Sequence, residues 1–548
     1  MDLMQPTLMS RIIDTGVVQR DAAYVWKAGL QMATLALAGF LGGACCSVSA
    51  SIAAISMSGR MRQSLFGKIG SLSFAEIDGF KTSSLVTRLT NDVMQMQSML
   101  MMMLRIMVRS PFTLIGSVVM SFFLSPQLAL VFCIILPIVF GSIVLVLRNS
   151  FPVFLQVQKS LDRVNTIMRE NLLGMRVVKA FTNERHQKQR FTQANDDLAD
   201  NSIRAQTFTI LLVPAVNLVM NLSVVAILWF GGNLVAEKAI EIGKIMAFIN
   251  YLVQSTHSML LMVNLVVNLS KAQASAQRIN EIFSIVPSIQ EPQEPYSIHS
   301  YDIGFEDVSF SYSNGGALVL QNLSFSIKEG EMVGIIGATG SGKSSLANLI
   351  PRLYDVTSGR IRIGGVDIRQ MDITDLRRDI GVVMQESQLF SGSIESNLRF
   401  GNNGALATEM DDACRDAQIL DYIETLPQRY TTPVEQRGQN FSGGQKQRLS
   451  LARTLLRNPR ILILDDSTSA VDLKTEANLR SSLAKRLQGR TRIVIAQRIS
   501  AVIHADKIIV LDFGRMVAIG THKELLQSSE IYRSIAVSQL GEEALPRG

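Results

Sequence analysis

Cysteine is scarce and scattered: of four in 548 residues, Cys45, Cys46 and Cys133 lie in apolar runs and Cys414 lies far downstream. That spacing excludes a disulfide framework and a thiolate metal site, and all four read as reduced packing residues. The chain has no internal repeat or low-complexity tract, and nothing before Asp14 has the basic front of a cleavable signal. Long uncharged runs are missing beyond residue 270. Yet the composition is 47% hydrophobic, too apolar for a wholly soluble protein, and the length exceeds one ordinary domain. Two halves follow, a membrane half first and a soluble half second.

The net charge of +7 does not call for nucleic acid, because Lys and Arg are segregated along the apolar half. Residues 58–109 hold seven and 148–207 hold ten, whereas the links 14–27 and 234–244 hold two each and 124–127 none. The positive-inside rule places the two long basic segments in the cytoplasm. Apolar runs at 28–57, 106–124, 128–147, 208–235 and 245–269 are each near the roughly 20 residues that a bilayer core requires. Five is an odd number of crossings, and the stub 1–13 reads as the back end of a first helix whose front is absent. The basic segments keep helical spacing, as at Leu161, Val164, Ile167, Met168 and Leu172, and predict helices extending past the membrane. Met94, Met96, Met99, Met101, Met102, Met103 and Met107 form a cluster suited to packing or to adaptable apolar contacts. Asn250, Gln254, Ser255, His257, Asn264 and Asn268 suit a polar pathway or interhelical hydrogen bonds. Pro287, Pro292 and Pro295 then break helical continuity and mark a boundary.

In the soluble half, the apolar run 332–336 leads directly into G-A-T-G-S-G-K-S-S, Gly337 to Ser345. Small residues at this spacing let the backbone curl until several N–H groups converge on phosphate oxygens. Gly337, Gly340 and Gly342 supply the curl, with Thr339 and Ser341 between them, and the helix that follows presents its N-terminal dipole to the same anion. Lys343 is placed to reach the β- and γ-phosphates of ATP, and the Ser344 hydroxyl to bind Mg²⁺. Downstream, Ile461-Leu462-Ile463-Leu464-Asp465 reads as a buried parallel strand that presents a carboxylate at its C-terminal edge, opposite Ser344 in the Mg²⁺ shell.

Between these lies Phe441-Ser442-Gly443-Gly444-Gln445 at the head of a basic amphipathic helix. With the phosphate loop, this run resembles the signature of ATP-binding cassette exporters, L-S-G-G-Q in that family, and the likeness extends over nearly the whole chain. Tyr312 matches the family's adenine-stacking aromatic, Gln385 its Mg²⁺-contacting glutamine, and Ser469-Ala470-Val471-Asp472 its D-loop. Residues 84–92 and 170–181 are similar to segments near the coupling helices. The resemblance implies a polytopic α-helical membrane domain, a six-helix half with a truncated first helix, over 1–284. A linker at 285–302, an α/β P-loop NTPase cassette at 303–540 and a tail at 541–548 follow. It further implies a multi-pass protein of the bacterial cytoplasmic membrane, paired with a homologous half-transporter, that exports an unidentified cargo such as a drug, lipid or peptide and binds no nucleic acid.

Three departures qualify the likeness. Asp466 stands where active members carry the glutamate that polarises the attacking water, Gln497 replaces the histidine of A-H-R, and Thr432 to Gly438 reads T-P-V-E-Q-R-G in place of T-x-V-G-E-x-G. The first two belong to this chain's own hydrolytic site, whereas the signature, which serves the opposite site, is close to intact. The expectation is a subunit that binds Mg-ATP at a hydrolysis-impaired site and lends its signature to a partner with the complete Glu and His. The alternatives are a slow homodimeric exporter and a nucleotide-gated regulatory or channel-like subunit.

Overall fold

The computed structural model describes residues 1–313, 315–467 and 473–541. The chain forms two compact units, Met1–Lys68 with Thr82–Ser284, and Ile69–Lys81 with Ile285–Gly548.

The first unit is helical. Three helices are long and apolar enough to cross a membrane, Ala22–Gly70, Thr82–Leu124 and Pro214–Ala236. They hold the runs expected at 28–57 and 106–124 and most of 208–235. The runs expected at 128–147 and 245–269 fall in the helices Pro126–Leu173 and Ile242–Ser284, which do not meet that criterion among the described residues. Three of the five expected runs are thus found in crossing-length apolar helices among the described residues.

These helices pack through Leu128, Phe132, Val139, Ile227, Phe248 and Leu252, with the Phe132 and Phe248 rings edge to face at 6.2 Å. Phe40, Phe112, Ile134 and Trp229 stay exposed, as a lipid-facing surface requires because hydrocarbon takes up apolar side chains that water would not. The cysteine reading needs correcting: Cys414 is buried, but Cys45, Cys46 and Cys133 are exposed on their helices. An apolar run in a membrane helix places residues on its outer face as readily as in its core. Asn250 donates back to the Met246 carbonyl of its own helix at 2.9 Å. Beyond the apolar stretches, buried Asp92 accepts from Arg278 Nε at 2.8 Å and Ser275 Oγ at 2.9 Å, and Arg88 meets Glu281 at 2.7 Å. A buried carboxylate so surrounded is paired and fully hydrogen-bonded, which is the condition for burying it without a large penalty.

The second unit is the cassette. Strands β1 (Ile303–Phe310), β2 (Leu320–Ile327), β4 (Ser358–Ile363) and β5 (Val366–Asp367) make an antiparallel sheet in the order β2-β1-β4-β5. A six-stranded sheet runs β12-β11-β3-β10-β9-β6, from β3 (Met332–Gly337), β6 (Ile380–Val383), β9 (Ile461–Asp465), β10 (Thr491–Ile495), β11 (Lys507–Asp512) and β12 (Arg515–Gly520). A short pair, β7 (Gly392–Ser393) with β8 (Pro433–Val434), lies apart. Every strand of the larger sheet is parallel to its neighbour except the edge strand β12. Covered on both faces, β9 is buried at every residue, which is why it reads as an unbroken apolar run.

Residues 69–81 belong to this unit although they come from the first half of the sequence. Their short helix Phe74–Gly79 is capped by Ser73 and Glu76, the Tyr354 hydroxyl donates to Asp78, and the Phe74 ring lies 6.1 Å from Tyr354. The Ser288 and Ile289 amides donate to Glu76 and Ser73 at 3.1 Å. The segment from the first half that meets the cassette is thus 69–81, just before the 84–92 stretch singled out from the sequence.

Candidate nucleotide-binding site

Parallel strands deliver their C-terminal ends to one edge, and the crevice there is where open α/β sheets bind ligands. Ile495 is level with Asp465 on one side and Ile335 on the other, and Val383 is level with Leu464. The phosphate loop after β3, Asp465 at the end of β9, Gln497 just past β10 and Gln385 just past β6 therefore share that edge.

The loop is built as the glycines imply. Gly340 and Gly342 have φ of 85° and 97°, and a Cβ on Gly342 would lie 2.5 Å from Leu320, so only glycine fits. Gly337 is needed for a different reason, since a Cβ there would meet the Leu511 carbonyl at 2.1 Å. The helix Lys343–Leu349 starts on the loop. Lys343, only 9% exposed, donates to the Gly337 and Ala338 carbonyls at 2.8 Å each. Burial pulls its pKa below the ordinary lysine value, against the opposing pull of Asp465 and Asp466. Ser341 is buried, and its Oγ has no partner among the described residues. A buried hydroxyl left unpaired beside an amide-lined curl fits an anion with oxygens to spare.

Ser344 Oγ donates to Asp465 Oδ1 at 3.2 Å, so the hydroxyl and carboxylate expected to share Mg²⁺ already meet. Burial raises the Asp465 pKa, with Ser344 and Lys343 acting the other way. Gln385 is exposed and makes no hydrogen bond to either among the described residues. Tyr312 is 45% exposed, with its hydroxyl 2.8 Å from Ser345 Oγ and its ring edge-on to Tyr354 at 5.2 Å. A half-exposed ring tethered to the helix of the phosphate loop is suited to stacking on a flat base.

The two departures touch each other. Gln497 Nε2 donates to Asp466 Oδ2 at 3.1 Å, a pairing that sequence inspection does not reveal because 31 residues separate them. Asp466 sits at φ 47°, in the left-handed region, where a short polar side chain is tolerated better than a longer one. Its pKa is raised by burial, against Lys343 and Arg498.

Ser442, Gly443, Gly444 and Gln445 lie at the head of the helix Gly443–Leu456. The Ser442 amide donates to Gln445 Oε1 at 2.8 Å and the Gln445 amide to Ser442 Oγ at 3.3 Å, a reciprocal cap. Phe441, in place of the family's leucine, is buried and packs edge to face on Tyr422 at 6.4 Å, so that substitution belongs to the core. Before it, Arg437 and Gly438 take φ of 57° and 63° in the T-P-V-E-Q-R-G stretch. No hydrogen bond among the described residues joins Ser442 to the phosphate-loop edge. Ser469, Ala470, Val471 and Asp472 lie outside the described residues. The sequence reading missed Tyr354, whose ring lies against Tyr312, and nothing in its local pattern marks it.

A family model described as ABC transporter transmembrane region matches residues 1–259, and one described as ABC transporter matches 320–469. The uncharacterized ABC transporter ATP-binding protein YfiB of Bacillus subtilis (strain 168) is 40% identical over 542 residues, covering 99% of this chain and 94% of that one. The ATP-dependent lipid A-core flippase of Syntrophus aciditrophicus (strain SB) is 33% identical over 485 residues, 88% of this chain and 80% of that one. A solved bacterial Atm1-family ABC exporter with ATP bound superposes with a TM-score of 0.82 at 26% identity, covering 100% of this chain and 96% of that one. The chain accordingly belongs to the ABC transporter family, as a multi-pass membrane protein related to the Atm1 and multidrug exporters, with a helical membrane region followed by a cytoplasmic ATP-binding cassette.

Proposed function

We propose that this chain is an exporter subunit whose own phosphate-loop site binds Mg-ATP and hydrolyses it slowly, while its signature helix completes the site of the chain it pairs with. Its membrane domain is assigned to 1–284, the linker to 285–302, the cassette to 303–540 and the tail to 541–548. The 337–345 loop and Lys343 hold the phosphates, Tyr312 takes the adenine, and Ser344, Asp465 and Gln385 hold Mg²⁺. That ion, when bound, neutralises charge on the phosphate oxygens. Ser442, Gly443, Gly444 and Gln445 face the nucleotide held by the partner.

The observation that carries the reading is the Asp466–Gln497 hydrogen bond. Aspartate is one methylene shorter than glutamate, so its carboxylate falls on the order of 1 Å short of the water it would polarise, a displacement that costs about a hundredfold in rate. Gln497 already occupies one of its oxygens, and a neutral amide cannot become the cationic donor that histidine can.

Two assemblies fit. Likeness to exporter chains along the full length favours two copies of this chain, a slow homodimeric exporter. The contrast between an altered hydrolytic pair and a well-capped signature favours an unlike partner with glutamate and histidine. Steady-state ATPase rates of the purified transporter carrying Asp466→Asn or Ser442→Arg decide between them. With an unlike partner, Asp466→Asn changes the rate modestly and Ser442→Arg abolishes most of it. In a homodimer every site contains both residues and the two changes are equally damaging. A nucleotide-gated channel-like subunit, the remaining alternative, would show neither ATP-driven uptake into inverted vesicles nor sensitivity of its turnover to Ser442→Arg.

A further inference from the structure

The helix Glu530–Leu540 packs Tyr532 and Ala536, both fully buried, into the same apolar cluster as Ile499 and Val502. From its last turn, Gln539 reaches the segment just past β10. Its Nε2 donates to the Gln497 carbonyl at 2.8 Å, and its Oε1 accepts from the Ile499 amide at 2.8 Å. One orientation of the amide satisfies both bonds, since a flipped group would set oxygen against a carbonyl and N–H₂ against N–H. Ile499 opens the short 3₁₀ turn Ile499–Ala501, and Arg498 provides no side-chain cap for it. The first amide of such a turn has no partner within the turn, and Gln539 supplies one from 40 residues downstream. Arg480 Nη1 holds the Ser500 carbonyl at 2.9 Å. The backbone on both sides of Arg498 is thereby pinned, and the Gln497 side chain points from it to Asp466.

From this geometry we propose that Gln539 is a positioning residue for the nucleotide site: through its two-point clamp on Gln497 and Ile499, the C-terminal helix sets where the residue at 497 stands against Asp466. No hydrogen bond among the described residues joins Gln539 to Asp466 or to the phosphate loop, so its effect runs through 497. The inference rests on the functional reading above for what residue 497 does, but not for the clamp itself.

The test uses the full-length transporter in lipid nanodiscs with Gln539→Met, which keeps side-chain length and removes both hydrogen bonds. Amide exchange of residues 497–499 should quicken about five- to tenfold, with the unfolding temperature unchanged because Tyr532 and Ala536 still anchor the helix. Exchange as slow as in the wild type would overturn the clamp. The second readout is turnover in the Gln497→His protein, where Gln539→Met should lower kcat about three- to tenfold and leave KM for ATP within about twofold. In a Gln497→Ala protein it should do nothing further, whereas an equal loss there would show a merely structural role and overturn the proposal. If Gln497→His fails to raise turnover at all, the reading of residue 497 as a hydrolytic deficit falls, while the exchange measurement still decides the clamp. Faster exchange with kcat unchanged in both the wild-type and Gln497→His backgrounds would leave a clamp without a positioning role, and that too would overturn the inference.

Discussion

The phosphate-loop edge of the cassette and its signature helix differ in how far each departs from the family pattern. At the phosphate-loop edge the binding parts are complete: glycines with φ only glycine favours, a buried lysine, and a serine within reach of a buried carboxylate. The residues proposed to act on the water, Asp466 and Gln497, both depart from the family pattern and are bonded to each other. At the signature edge the one change, Phe441, points into the core and leaves the cap formed by Ser442 and Gln445 intact. On the proposed reading, binding and hydrolysis separate within one domain, because a phosphate is held by backbone and charge while a water must be placed to within a fraction of an ångström.

The largest expected effect breaks the signature edge. Ser442→Arg removes the cap and sets a long cation at the helix N-terminus, where the dipole already favours an anion. Steady-state ATPase of the purified transporter should drop about a hundredfold or more. Next, Lys343→Ala should weaken ATP binding at this chain's own loop by at least about tenfold, since charge-assisted bonds to phosphate are lost. Photolabelling with an azido-ATP and peptide mapping reads each site apart. With an unlike partner, an appreciable part of hydrolysis survives, and loss of label at both sites would erase the proposed contrast.

Repair sharpens the comparison. Asp466→Glu together with Gln497→His should raise turnover by about tenfold, and by more than the two single changes combined, because the residues are in contact. Asp466→Glu alone gains less, since its left-handed backbone at φ 47° suits the shorter side chain. Additive singles would argue that the hydrogen bond between them is incidental.

The smallest effect is on pH. Burial raises the Asp465 pKa, so its carboxylate gains a proton at a higher pH than an unburied aspartate, near about 4. In the ligand-free protein this group favours folding below the unfolded value, and that contribution is lost as pH rises through the folded one. Mg²⁺ needs the ionised form, so Mg-ATP binding should release protons and weaken as pH falls towards the carboxylate range, beginning above the pH expected of an ordinary aspartate. Calorimetric titration in two buffers of different ionisation enthalpy measures this, and Asp465→Asn should remove it.

The sequence by itself determined the phosphate loop, the signature and the buried strand ending at Asp465. Each is a short run whose chemistry is complete in consecutive residues, and a glycine or an all-apolar strand advertises its backbone locally. The apolar runs were equally legible as helices. Composition did not show that one of these helices runs unbroken from Ile242 to Ser284, past its apolar stretch. Nor did composition tell Cys45, Cys46 and Cys133, exposed on helices, from Cys414 in a core. Only the tertiary structure decided what the departures touch. It set Gln497 on Asp466 across 31 residues, Tyr312 on Ser345 across 33, and Gln539 on Ile499 across 40. The first and last of these meet because neighbouring parallel strands and a packed C-terminal helix bring their ends to one edge, and adjacency in space leaves no periodicity along the chain to mark it.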